Sequence, residues 1–365
     1  MFDRQLIEEF RNTVNDTDFT LFRYREKQNQ NLWSCICSAM DWITVAVDHL
    51  NTYPNVGARK LGSIEIYGYI VSVDILVEAV QQLHRVICST TKQLFGKDRE
   101  HFSNNPFGKT DLDYFKSIRA CFGAHPVNLH EPGQEEDRKL RRFASWSGGN
   151  FGAGDYSIIL YSNQIGVENI YLNIDMTQVF AFGKKYYNYL RTAIEILQKQ
   201  YADFCERKRK ERFEYLGDAL SRLHILSEEC TKRMNNGVYR STIDELILIF
   251  ETSITCDKNM EMVKAYKSAL EQLIDEIYHN LQEMTLVNLK YDWLLTPSSS
   301  KLQNGWGYPY EKLCQTVIGS GYPIGAWRDL LQSTFKDVFE FSYENDEELY
   351  VLVQSAIYKL SLTEK

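Results

Sequence analysis

Apolar residues recur at every third or fourth position along most of this chain, and that spacing is typical of helices with one buried face. One stripe of such residues occupies 32–50, a longer one occupies 66–87, and a third runs from Tyr187 to Phe204. The same spacing predicts helices near 211–234, 241–255 and 258–287, and two more at the C-terminal end, the second capped by Asn345. The chain is therefore expected to be mainly α-helical.

A further helix is predicted to begin after Thr110. A threonine followed three positions later by an acidic residue, here Asp113, is an acidic variant of the capping box. We expect this helix to end between Gly123 and Pro126, because glycine favours a helix stop and the residue before a proline avoids the α region.

A β pattern is confined to two short runs, 156–161 and 169–174, which are rich in β-branched and aromatic residues. They predict one β-hairpin, inserted at about 155–175 in an otherwise helical chain. Loops are expected at the charged segment 131–142, at Ser145–Gly149 and across the region 292–325, which is rich in glycine, proline, serine and aromatic residues.

The length of 365 residues suggests two domains, and a charged run places the expected boundary between residues 212 and 213. A net charge of −8 argues against a protein that coats duplex DNA, so a nucleic-acid partner would need a local basic cleft. The eight cysteines form no CxxC pair and no zinc-ligand spacing. We therefore expect reduced, mostly buried thiols in a cytoplasmic protein without a metal or other cofactor, and no segment that spans a membrane.

Three patterns that suggest chemistry are better explained by structure. Gly108-Lys109-Thr110 ends like a phosphate-binding loop, but Ser103 occupies the position of the first glycine, so a turn followed by a helix cap is expected. The charged run 206–212 could grip phosphates, but it is expected to be a solvated helix face or a linker between packed segments. His84 lies within an apolar stripe and is expected to be a hydrogen-bonded core histidine.

The segment Lys116–Pro126 carries a catalytic hypothesis, because Arg119 and His125 are separated by five residues at the predicted end of a helix. This arrangement resembles the signature of the HEPN superfamily, an Arg, four to six intervening residues and a His. The resemblance covers about residues 30–210, and Ala120 stands where many active members have a polar residue.

The resemblance implies an antiparallel helical bundle in residues 1–212 that carries the hairpin as an insertion, and leaves 213–365 as an additional helical region. It also implies a homodimer, or pairing with another helical chain, in which two motifs meet at one interface. Many members are metal-independent endoribonucleases of toxin–antitoxin or antiviral defence systems.

The two residue types suit cleavage of RNA without a metal. That reaction needs a base for the ribose 2′-hydroxyl, a cation beside the phosphorus and an acid for the leaving 5′-oxygen. Histidine as a residue type titrates near neutrality, so His125 is assigned as general acid/base, and Arg119 is assigned as the phosphate stabiliser. The guanidinium should lower the pKa of His125 and favour its neutral form. On an ideal helix the two residues differ by about 120° in direction, so a helix end at Gly123 is needed for both to reach one cleft.

We expect Lys116, one turn before Arg119, and the basic residues Arg138, Arg141 and Arg142 to bind the RNA backbone. The preferred function is a metal-independent endoribonuclease acting on single-stranded or loop RNA, since in-line attack needs a flexible backbone. The main alternative is a non-catalytic helical dimerisation or interaction module of a defence or regulatory complex. A metal-dependent nuclease is disfavoured, because the sequence has no compact Asp/Glu/His cluster.

Overall fold

A computed structural model describes residues 1–27, 29–57, 60–124, 129–130, 140–146, 154–233, 239–285, 287–302, 306–319, 325 and 327–363, without the side chains of 123, 124 and 130. The chain divides into two compact units, Met1–Tyr201 and Ala202–Lys365, each with its own hydrophobic core. The division lies inside a long helix and comes earlier in the chain than the boundary expected between residues 212 and 213.

Helices account for most of the described residues, which confirms the prediction of a mainly α protein. In chain order they are α1 Arg4–Asn15, α2 Asp18–Arg25, α3 Leu32–Leu50, α4 Ser63–Cys88, α5 Asp111–Arg119, α6 Met176–Lys210, α7 Ala219–Lys232, α8 Arg240–Glu251, α9 Asp257–Gln282, α10 Gly307–Val317, α11 Trp327–Phe335 and α12 Asp346–Leu362. A π-helical turn, Ala120–Ala124, continues α5, and a 3-10 turn covers Asp292–Leu294.

Two predicted helix starts are confirmed by their caps. The Thr110 hydroxyl oxygen accepts a hydrogen bond from the backbone N–H of Asp113 at 3.3 Å, and the Asp113 carboxylate accepts from the Thr110 hydroxyl at 2.9 Å. The Asn345 side chain accepts from the backbone N–H of Glu348 at 2.8 Å at the start of α12. The bonds to the backbone N–H groups of Asp113 and Glu348 satisfy amide groups that the first helical turn leaves without an intrahelical partner.

The described strands form one antiparallel sheet in the order β1 Leu129–His130, β2 Arg141–Trp146, β3 Tyr156–Ser162 and β4 Ile170–Ile174. Strands β3 and β4 are the predicted hairpin, with Ile158 opposite Leu172 on the buried face. The expectation of loop conformation at 141–142 and 145–146 is wrong, because these residues belong to β2. The inward positions of β2 are Arg142 and Ala144, so the usual alternation of buried apolar and exposed polar residues is absent from its sequence.

Unit 1 has its core between α3, α4 and α6. Burial is complete or nearly so for Ile43 on α3, Val73 and Val77 on α4, and Tyr186 and Leu190 on α6. The sheet adds its inner face to this core through a short series of apolar residues: Ile158, Leu160, Leu172 and Ile174.

Unit 2 gathers α7 to α12 around a second core in which Tyr266, Leu270 and Ile277 of α9 are buried. The expected loop at 292–325 is wrong in part, because α10 occupies Gly307–Val317 within it. Pro309 lies in the first turn of α10, where a helix tolerates proline because the missing N–H would have no intrahelical partner.

Candidate active site

Arg119 is the last residue of α5, and its guanidinium forms an ion pair with α4. Its Nε atom lies 2.9 Å from Oδ2 of Asp74, and the Arg119 side chain is 45% exposed whereas that of Asp74 is 14% exposed. One turn earlier, Nζ of Lys116 lies 3.9 Å from Oε1 of Glu78. These two basic residues of α5 are three positions apart and face two acidic residues that are four positions apart on α4. The two ion pairs therefore link α4 and α5 side by side.

Burial raises the pKa of Asp74 above its usual value. The positive charge of Arg119 lowers the pKa of Asp74, the negative charge of Glu78 raises it, and the positive charge of Lys116 lowers it. A guanidinium has five N–H donors, and the contact with Asp74 is made at Nε. The carboxyl group therefore fixes the orientation of a half-exposed guanidinium whose terminal nitrogens can donate to a second anion.

The backbone departs from α-helical geometry directly after Arg119. Residues Ala120–Ala124 form a π-helical turn, and such turns occur frequently at functional sites. Helical conformation extends to Ala124, within the range where the helix was predicted to end. His125 itself lies outside the described residues.

The π-helical turn also contacts the sheet. Phe122 is buried within the turn, and its ring centroid lies 5.1 Å from that of Trp146, the last residue of β2, at an interplanar angle of 80°. This edge-to-face contact attaches β2 to the segment that carries Arg119.

The predicted RNA-binding residues have different environments. Arg138 lies outside the described residues. Arg142 is 3% exposed, and its Nη1 donates to the carbonyl oxygens of Glu168 at 2.6 Å and Leu160 at 3.4 Å. Arg141 is the neighbouring residue on β2, and by strand alternation its side chain lies on the opposite face. Arg142 therefore lies on the inner face of the sheet, where it bonds to the backbone. Arg141 lies on the outer face.

An acid–histidine pair at the other end of α5 was not predicted. Asp111, the first residue of the helix, is buried, and its Oδ2 accepts from the backbone N–H groups of Glu100 at 2.9 Å and His101 at 3.2 Å. Nδ1 of His101 lies 3.3 Å from the same oxygen. Oδ1 of Asp111 has no hydrogen-bond partner in the part of the chain that the structure describes. The partners are ten residues apart across a loop, a separation that gives no periodic signal in the sequence.

Lys185 of α6 binds the same loop. Its Nζ lies 2.6 Å from Oδ2 of Asp98 and 2.6 Å from Oε1 of Glu100. Burial lowers the pKa of Lys185, but the hydrogen bonds that it donates to the two carboxylates, together with their negative charges, outweigh that effect and raise it. These contacts hold the loop that leads into α5 and so stabilise the position of the helix.

The three other patterns, at His84, at Gly108–Thr110 and in the charged run 206–212, have structural environments that agree with the explanations predicted from the sequence. His84 is half-buried and its Nδ1 lies 2.8 Å from the Tyr189 hydroxyl; burial and Arg85 lower its pKa. Gly108 has φ +60 in the turn before the α5 cap. Within the charged run, lysines pair with glutamates of the same run: Lys208 with Glu211 and Lys210 with Glu206.

The cysteines are all free, but the expectation that most of them are buried is wrong. Three are buried, Cys121, Cys205 and Cys230, whereas Cys88 is exposed and the others are intermediate. Across the described ranges, no group of three or more His, Cys, Asp or Glu side chains is arranged to hold a metal ion. None of the helices in those ranges is both long enough and apolar enough to cross a membrane.

Comparisons of this chain with protein families, with curated protein sequences and with solved structures found no match.

Proposed function

We propose that this protein is a metal-independent endoribonuclease of the HEPN type, with a HEPN-like helical bundle in unit 1, that cleaves single-stranded or loop RNA. The observation that carries the proposal is the half-exposed guanidinium of Arg119, which Asp74 orients at the end of α5, one residue before the π-helical turn. His125 follows that turn in the sequence and completes the spacing of the motif.

In the proposed reaction, the terminal N–H groups of Arg119 bond the phosphate and offset the charge that develops on it. His125 removes the proton from the ribose 2′-hydroxyl, whose oxygen then attacks the phosphorus while the bond from phosphorus to the 5′-oxygen breaks. A second catalytic group, which acts as the acid, donates a proton to that 5′-oxygen. The products are a 2′,3′-cyclic phosphate and a 5′-hydroxyl, so atoms and protons balance.

Base and acid act in the same reaction on different oxygens, and one imidazole cannot serve both at once. A homodimer provides a second His125, in its protonated form, at the same site. Histidine is suited to both roles because its pKa lies near neutrality. A helical partner chain that carries its own acid would serve equally.

Asp74 acts in this proposal as a positioning residue for Arg119. Ala120 supplies no polar side chain next to the arginine in sequence, and the carboxyl group of Asp74 on α4 contacts the guanidinium from a different helix. A fixed guanidinium loses less conformational entropy when it binds phosphate than a mobile one does.

The test is cleavage of a fluorescent single-stranded RNA in the presence of a chelator. We expect the wild type to cleave it, and Arg119→Ala and His125→Ala each to lower kcat by about 100-fold or more. Arg11→Ala is the matched control, because Arg11 also pairs with an aspartate across two helices of unit 1, at 2.8 Å from Asp41. Equal loss in Arg11→Ala, or no cleavage by the wild type under any condition, overturns the proposal.

A second candidate function, a non-catalytic dimerisation module, is favoured by a different observation. Trp42 and Val45 on α3 are 52% and 55% exposed, and a groove of about 350 Å³ lies beside Trp42, lined by Ala39, Ile75 and Ala79 among others. Exposed apolar surface of this kind is typical of protein interfaces. Sedimentation of the wild type and Trp42→Ala tests whether a second copy of the chain binds there, and RNA cleavage distinguishes the two functions.

A further inference from the structure

Three aromatic side chains lie on the outer face of the sheet. They are Phe143 on β2, Tyr161 on β3 and Tyr171 on β4, and their exposed fractions are 39%, 42% and 51%. We call these three residues the aromatic face. Large exposed aromatic side chains gathered on one surface are uncommon and mark interaction sites.

The strand register brings the three rings together. Phe143 is directly opposite Tyr161 in the antiparallel pair of β2 and β3. Tyr171 is opposite Ile159, which is two residues from Tyr161 and therefore on the same face of β3. Side chains directly opposite are separated by about 5 Å at Cβ and diagonal ones by about 7–8 Å. The rings thus occupy adjacent positions on three neighbouring strands.

The strands that form the aromatic face carry no acidic side chain. The protein carries a net charge of −8, yet strands β2, β3 and β4 contain two arginines and no aspartate or glutamate. Arg142 is buried, and Arg141 shares the face of Phe143 by strand alternation. The charged side chain that these three strands place on the outer face is therefore the cation of Arg141.

The aromatic face is connected to the candidate active site. Trp146, three residues after Phe143 on β2, packs against Phe122 at 5.1 Å between ring centroids. Phe122 belongs to the π-helical turn that follows Arg119. A strand that holds a ligand on its outer face is thus fixed to the segment that carries the proposed phosphate-binding guanidinium.

We propose that the aromatic face binds single-stranded RNA by stacking unpaired bases on Phe143, Tyr161 and Tyr171, with Arg141 near the phosphates. Every base has a π face, so stacking of this kind tolerates many sequences. It selects unpaired strands, because the bases of a duplex are already stacked on one another. This inference rests on the proposed ribonuclease function and assigns to it a surface that holds the substrate.

The test measures binding apart from cleavage. The probe is a short fluorescein-labelled oligouridylate with 2′-O-methyl groups, which lacks the attacking hydroxyl and cannot be cleaved by the proposed reaction. We expect the wild type to bind it, and Tyr161→Ala and Tyr171→Ala each to weaken binding by about 5- to 150-fold, the range found for loss of one stacked base. Tyr171→Phe keeps the ring and should bind like the wild type.

Tyr67→Ala is the matched control, since it removes a tyrosine side chain of 41% exposure that lies on α4 and not on the sheet. Circular dichroism and thermal unfolding of each variant establish that the sheet still forms. Binding that is unchanged in the folded Tyr→Ala variants, or a duplex of equal length that binds as tightly as the single strand, overturns the inference. A change of oligomeric state in these variants without a change in RNA binding also overturns it, because the face would then be a protein interface.

The outcomes separate this inference from the proposed function. If the wild type cleaves RNA while the Tyr→Ala variants keep the wild-type KM and affinity, the aromatic face is not the binding surface and the ribonuclease proposal stands. If the wild type binds the oligouridylate through these rings but cleaves no RNA, the surface stands and the ribonuclease proposal fails.

Discussion

The Nε atom of Arg119 lies 2.9 Å from Oδ2 of Asp74, so the guanidinium proposed to bind phosphate is also the counter-ion of a largely buried carboxyl group. The two residues belong to different helices, α5 and α4. A change at either residue should therefore be measurable at the other, and this coupling can be tested without any RNA.

The first prediction concerns the pKa of Asp74 when its counter-ion is removed. Burial raises this pKa and Arg119 lowers it, so Arg119→Gln should raise it further. Carbon-13 NMR titration of side-chain carboxyl groups measures the change, with the Asp74 signal assigned by its absence in Asp74→Asn. The control variant Arg11→Gln should leave the pKa of Asp74 unchanged. An Asp74 that titrates at the same pH in the wild type and Arg119→Gln would show that the ion pair does not form in solution.

The second prediction concerns the pH dependence of stability. Folding raises the pKa of Asp74 above its ordinary value of 3.8, so the protonated group favours the folded state. That contribution is fully present below 3.8 and is lost as the pH rises through the raised pKa. Asp74→Asn cannot ionise, so the free energy of unfolding of the wild type relative to this variant should fall across that window. Urea unfolding at a series of pH values measures it, and a difference that stays constant with pH contradicts the assignment.

The third prediction compares two adjacent arginines of β2. Arg142 is buried and donates to the carbonyl oxygens of Leu160 and Glu168, so Arg142→Ala removes these hydrogen bonds together with the packing of a buried side chain. We expect it to lower the free energy of unfolding by about 1–3 kcal/mol. Arg141→Ala, on the outer face, should change stability little but weaken RNA binding and its dependence on salt. The opposite result, with Arg141 important for stability and Arg142 for binding, would reverse the faces assigned to these residues.

The fourth prediction concerns unit 2. Arg233 is 2% exposed, pairs with Glu229 at 3.1 Å, and donates to the backbone carbonyl oxygens of Lys208, Glu211 and Leu281. Arg233→Ala removes these bonds to buried groups, while Lys232 remains 2.9 Å from the Glu229 carboxylate, and should lower the free energy of unfolding by about 3 kcal/mol.

The control for Arg233→Ala is Arg240→Ala. Arg240 makes an exposed pair with Asp244 at 3.2 Å, and its loss should cost about 1 kcal/mol or less. Neither variant should alter the kcat of RNA cleavage, because both residues belong to unit 2 and the proposed site belongs to unit 1. Similar losses of stability in the two variants would show that the buried network around Arg233 contributes no more than a surface pair.

The sequence was sufficient for elements whose residues lie close together in the chain. The stripe 32–50 corresponds to α3, and the Thr110 and Asn345 caps lie where the predicted helices begin, because both signals depend on neighbours within a few positions. Strand β2 was missed because its buried position is an arginine, and α10 was missed because its first turn contains Gly307 and Pro309.

Contacts between distant residues could not be predicted from periodicity. The pairing of Arg119 with Asp74 joins α5 to α4, and the pairing of His101 with Asp111 spans a loop. The aromatic face depends on the register of three strands, of which only the β3–β4 hairpin was predicted. The candidate chemistry of Arg119 and His125 came from the spacing of the motif, and the partner that orients Arg119 came from the fold.

The most direct test of the central claim is the chemical identity of the RNA ends that the wild type produces in a chelating buffer, analysed by mass spectrometry. We expect fragments that end in a 2′,3′-cyclic phosphate and begin with a 5′-hydroxyl, and we expect them to be absent in reactions with Arg119→Ala or His125→Ala. Intact RNA, or fragments with 5′-phosphates that form only when a divalent metal is restored, would contradict the proposed metal-independent mechanism.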